Sequence, residues 1–151
     1  MMKKSLMIVT LFCSMLTLMF ASSDDKKKKN NHIRDGKTVY AQSCAVCHSK
    51  AFIPEVLKLG NKEDWKELIE EGQQFPTAHG WVGTRKMPRH GGDPKITLDE
   101  FINAVAYMGN QAGANWKEYD KLDKSMYKEI LKEIQIRLQR NELYDKIGKK
   151  Y

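Results

Sequence analysis

Apolar positions in this 151-residue chain follow helical rather than strand periodicity. In TLDEFINAVAYMGN, Phe101, Ala104, Val105 and Met108 recur at spacings of three and four, the mark of one buried helix face. Thr97 and Glu100 stand three apart at its start, a capping box, and Gly109 is expected to close the helix. NKEDWKELIEEGQQ predicts a second helix, with Asn61 as cap, Trp65, Leu68 and Ile69 on one face, and Gly72 at the end. A third, IRDGKTVYAQSC, begins at Ile33 and carries Val39 and Tyr40; Gly36 costs it about 1 kcal/mol against Ala, so it asks for a packing reason. Phe75 to Lys95 holds three of the four prolines and predicts an irregular loop. From Trp116 onward, Tyr119, Leu122, Met126, Ile130, Ile134 and Leu138 form the stripe of an amphipathic helix or helix pair. No strand-length run alternates with period two, so the fold class is all-α.

The first residues do not belong to that pattern. Lys3 and Lys4, an apolar run from Leu6 to Phe20 and small residues after it read as a secretory signal peptide over 1–23. The alternative is an uncleaved anchor, although the run is at or below the roughly 17–25 residues that span a bilayer. Residues 24–31, with Lys26 to Lys29, form a polar tether; a single domain over 32–113 and an extension over 114–151 follow. The expected location is the periplasm, by export or by an anchor facing it. The formal charge is +7, and loss of Lys3 and Lys4 with the signal leaves +5. In an exported chain that excess argues for acidic protein partners, not nucleic acid.

The signal takes Cys13 with it and leaves Cys44 and Cys47, in SCAVCHSK. A disulfide here would close too small a loop to add much chain-entropy stability. Zinc needs four ligands, and His32, His79 and His90 supply no spaced pair to complete them. A dithiol oxidoreductase wants the pair beside a βαβ unit, and there are no strands. Cys-x-x-Cys-His remains as a covalent haem attachment signal: two thiols for the two vinyl groups, and His48 for the iron. The His48 ring needs a partner for its other nitrogen, and the Pro54 carbonyl is the expected one. For the sixth iron position, Met87 in the polar loop TRKMPRHGG offers a soft thioether where core filling is hard to supply, while Met108 has the context of a core residue. His79 and His90 are the rival ligands.

GKTVYAQSCAVCH, the LG and Trp65 helix, MPRHGG and LDEFINAVAYM, in that order, resemble class I c-type cytochromes, closest to bacterial c5-like monohaem carriers. The resemblance spans about residues 33–112. It implies a cytochrome c fold around one covalent haem c, with Cys44 and Cys47 as thioether anchors, His48 as proximal and Met87 as distal iron ligand. It also implies a close crossing of first and last helices, in which Gly36 and Tyr40 meet Tyr107, and single-electron transfer rather than catalysis. Lys50, Arg85, Lys86 and Arg89 would ring the haem edge and steer redox partners with acidic surfaces. Two alternatives stand beside a free carrier. One is a dedicated haem subunit of a larger periplasmic or membrane oxidoreductase, docked through residues 114–151, which would also suit a membrane surface. The other is a haem enzyme or sensor with an open iron site.

Overall fold

The computed structural model describes residues 32–148 apart from 50–52, 55, 85 and 86. The expected signal peptide and tether, and Lys50, Arg85 and Lys86, lie outside the described residues. Six helices are described: α1 (Gly36–Val39), α2 (Ala45–His48), α3 (Lys62–Glu71), α4 (Gln74–Val82), α5 (Leu98–Gln111) and α6 (Lys124–Gly148). A wider helical turn, Tyr40–Cys44, joins α1 to α2, and one 3₁₀ turn each precedes α5 and α6. Among the described residues there are no strands, so the all-α fold class stands.

The first helix starts later than its apolar residues suggest. Asp35 takes the cap, its carboxylate accepting from the Thr38 N–H at 2.9 Å, which leaves Ile33 and Arg34 outside the helix. Arg34 then reaches α5, where it donates to both carboxylate oxygens of Glu100 at 2.8 and 2.9 Å. Glu100 serves twice, since it also completes the capping box with Thr97. Gly36 sits where the two helices touch: a Cβ there would overlap the Asn103 carbonyl and lie 2.8 Å from the Tyr107 Cβ. The glycine therefore exchanges helix propensity for closeness, and the Tyr40 and Tyr107 rings pack beside it at 5.5 Å.

Two expectations are corrected. Residues 75–95 are not irregular throughout, because α4 occupies Gln74–Val82. Pro76 falls in its first turn, where its missing N–H leaves no helical bond unmade. Gly109 does not close α5, which runs on to Gln111; it is small because the Trp116 ring lies where its Cβ would be.

Beyond α5 the chain returns over the helices in extended form, pinned by side-chain amides. Asn110 exchanges two hydrogen bonds with the Trp116 backbone, Gln73 exchanges two with the Lys117 backbone, and buried Asn103 joins Arg34 O to Tyr119 N. The expected tail helix is corrected at its start: Trp116 and Leu122 lie in the connection and Tyr119 in the 3₁₀ turn, while Met126, Ile130, Ile134 and Leu138 fall on α6, whose Ile130 and Ile134 pack with Ala78, Val82 and Ile102. That makes a second core beside the one formed by Val39, Tyr40, Trp65, Phe101, Val105 and Met108. None of the described helices is long and apolar enough to cross a membrane.

Candidate functional site

The turn Tyr40–Cys44 is wound more widely than an α-helix, a distortion common at functional sites. It turns Cys44 into the core, 7% exposed, while Cys47 is half-buried one turn further on. Both thiols are free. Burial, with the nearby Asp93 charge adding to it, pushes the Cys44 thiol up to about 11. Asp93 is itself held against this segment by the Ser43 hydroxyl at 2.8 Å.

His48 has its ring fixed by a backbone carbonyl, but not the expected one. Its Nδ1 lies 2.8 Å from Leu57 O. A carbonyl only accepts, so Nδ1 carries the proton and Nε2 is left with its lone pair. The Pro54 expectation is corrected: the loop after His48 needs three more residues before its main chain comes back over the ring. Lys58 fastens that return, donating from Nζ to Ile53 O at 2.7 Å and from its N–H to Asp64 at 2.8 Å, while its carbonyl accepts from the Trp65 indole at 3.0 Å. Burial, then the Lys58 charge, press the His48 pKa down, which keeps the ring neutral as a metal ligand must be.

Met87 comes from the other side. Its backbone pairs twice with Thr84, at 2.8 and 3.0 Å. A Cβ at Gly80 would lie 3.1 Å from the Met87 methyl, so Met87 lies against α4. Between these parts is a cavity of about 880 Å³ whose lining includes Cys44, His48, Trp65, Met87, Phe101 and Val105. That is within the range of about 300–1,000 Å³ for cofactor-sized sites.

The rival ligands separate here. His90, at φ +57°, stacks on Trp81 with ring centroids 4.0 Å apart and is not among the residues lining the cavity. His79 does line it; burial, then the charges of Arg137 and Arg140, press its pKa down to about 4. Cys47 is not part of the lining, although it shares a helical turn with Cys44 and His48. Sequence reasoning missed Leu57 and Lys58, which act through main-chain atoms or reach them and leave no side-chain signature.

A free thiol at Cys44, the Cys47 thiol one turn on, a neutral His48 imidazole and the Met87 thioether, with Cys44, His48 and Met87 lining one cavity, suit a covalently held haem. The chemistry of the donor set thus fits the group that the Cys-x-x-Cys-His motif calls for. Among the described residues no cluster of His, Cys, Asp and Glu offers a separate metal site.

The cytochrome c family profile matches residues 33–112. Cytochrome c-555 from Chlorobaculum thiosulfatiphilum is 41% identical over 81 residues, which are 51% of this chain and 93% of that one. Cytochrome c-555 from Chlorobaculum tepidum is 38% identical over 81 residues, 51% of this chain and 74% of that one. A chain in the crystal structure of an electron transfer complex of nitrite reductase with cytochrome c is 31% identical, with a TM-score of 0.48 over 51% of this chain and 93% of that chain. The family match and the two relatives agree with Cys44 and Cys47 positioned for thioether attachment: the chain belongs to the cytochrome c family, and is a haem electron-transfer protein with covalently bound haem c and its iron.

Proposed function

We propose that this chain is an exported, monohaem electron carrier in which Cys44 and Cys47 hold the haem and His48 and Met87 bind its iron. Bound there, the haem supplies one-electron exchange between Fe(II) and Fe(III). The observation that carries the assignment is the cavity itself, which has His48, with its Nδ1 held by Leu57 O, and Met87 among its lining residues. The Leu57 carbonyl holds the His48 ring and makes Nε2 more basic; Met87 favours the reduced metal and raises the potential. With Met87 in place no coordination position is open for catalysis, which sets this function apart from a haem enzyme or sensor.

The periplasm is the proposed location, and the support is the signal-like pattern of residues 1–23. Partners are proposed to be redox proteins with acidic docking surfaces, drawn by the excess of basic residues and by exposed Arg89, two positions after Met87. A dedicated subunit of an oxidoreductase is the second reading. It is favoured by the exposed Leu131, Ile136 and Leu143 on α6, apolar positions that its packing on α4 leaves uncovered.

Purified holoprotein tests the assignment. Cys44→Ala with Cys47→Ala should abolish covalent haem, and Met87→Ala should lower the potential and admit carbon monoxide to the reduced iron. A Met87→Ala protein with wild-type spectrum and potential would show that another group is the ligand. Sequencing the N-terminus of the mature protein tests export: a start near Asp24 is expected, and an intact Met1 would point to the anchor.

A further inference from the structure

His90 lies outside the cavity lining, yet it holds a backbone conformation that histidine adopts at a cost. It stands in the turn Arg89–Gly92 at φ +57°, the left-handed region that favours glycine, and Gly91 and Gly92 follow it there at +67° and +84°. A histidine kept among glycines in that region needs a compensating contact. Its ring supplies one: it stacks on the Trp81 ring of α4, with centroids 4.0 Å apart and 32° between the planes. Trp81 meets Phe101 of α5 edge-on at 5.6 Å, and Phe101 is fully buried, so the platform beneath His90 is anchored in the core.

The stack bears on Met87 through two glycines. A Cβ at Gly80 would lie 3.1 Å from the Met87 methyl and one at Gly91 would lie 3.9 Å from it, so both glycines border the thioether. Trp81 follows Gly80 in the chain, and His90 precedes Gly91. Each of the stacked rings is therefore one residue from a wall of the Met87 site, and their contact ties the wall on α4 to the wall on the turn. We propose that His90 is a positioning residue for Met87: stacked on Trp81, it latches the turn onto α4 and sets how readily the thioether leaves the iron. The proposal rests on the reading of Met87 as the iron ligand. It gives a reason for a histidine where a glycine would sit without strain.

Imidazole added to the ferric holoprotein reaches the iron only when Met87 has left it, so its apparent affinity counts the open fraction. His90→Gly removes the ring and relieves the backbone. Apparent imidazole affinity should rise about threefold to tenfold, the scale of one aromatic pair, with the sulfur-to-iron absorption still present in the imidazole-free protein. His90→Asn, which accepts the same backbone conformation without the ring, should match it. In a Trp81→Leu background His90→Gly should add little, because the stack is already gone. Wild-type affinity in His90→Gly would overturn the proposal, as would an equal rise in both backgrounds. If Trp81→Leu does not accumulate as holoprotein, His90→Gly and His90→Asn decide, and a rise in one without the other overturns it. Denaturant unfolding separates a latch from a merely structural contact: the His90→Gly midpoint should hold or rise, and a midpoint that falls in step with tighter imidazole binding would also overturn it. Wild-type protein lacking the sulfur-to-iron absorption would overturn both this proposal and the Met87 reading beneath it; that absorption with an unmoved imidazole affinity overturns the latch alone.

Discussion

Two helix crossings hold this molecule together, and they are closed by different means. Where α1 meets α5, the contact is short and polar groups are satisfied inside the protein: Gly36 lies against the Asn103 backbone, Glu100 accepts from Arg34 Nε and Nη2, and Asn103 bonds on both sides. Where α4 meets α6, aliphatic side chains do the packing, and the flanking His79 and Arg137 each have a side-chain nitrogen without a hydrogen-bond partner. The first crossing is complete as protein. The second is held by apolar packing.

Breaking each crossing should show that difference. Gly36→Val drives side-chain atoms into the Asn103 carbonyl with no soft neighbour to yield, and should cost about 4 kcal/mol in denaturant unfolding of the holoprotein. Ile130→Ala opens a cavity in the other crossing at a fully buried position, and about 3 kcal/mol is expected. Because Ile130 packs with Ala78 and Val82 on α4, the helix that also carries the cavity-lining His79 and Gly80, that variant should also perturb the haem spectrum.

Glu100→Gln is expected to cost about 2 kcal/mol, the scale of a charged hydrogen bond. Its Arg34 partner holds the folded carboxyl down to about 2, below its ordinary value of 4.5. A depressed carboxyl stabilises the fold above the unfolded value and ceases to do so as pH falls through the folded one. Wild-type stability should therefore decline between about pH 4.5 and pH 2 more steeply than that of Glu100→Gln. Asn110→Ala, which frees the exposed connection between the crossings at Trp116, should cost about 1 kcal/mol or less and leave the haem spectrum unchanged.

What could be seen in the sequence follows from how locally each feature is encoded. Cys44, Cys47 and His48 are legible because their chemistry lies within five residues, and α5 is legible because Thr97 and Glu100 cap it three positions apart. Gly36 announced a close contact by its cost to a helix, and the structure supplies Asn103 and Tyr107 as its reason. α4 was hidden because Pro76, Gly80 and Gly83 look like loop punctuation, although a proline in the first turn breaks nothing. Leu57 was hidden because a carbonyl belongs to every residue and only the path of the loop selects one. The packing of α6 on α4 is tertiary, between residues such as Ala78 and Ile130 that lie 52 positions apart, and no local pattern contains it.

The central claim, that the cavity between His48 and Met87 is a closed six-coordinate haem site built for electron transfer, is tested most directly by an optically monitored redox titration of wild-type and Met87→Ala holoprotein. We predict a single one-electron transition in the wild type, with sulfur-to-iron absorption in the oxidised form, and in the variant a lower potential with that absorption gone. An unchanged potential and spectrum in Met87→Ala would contradict the account.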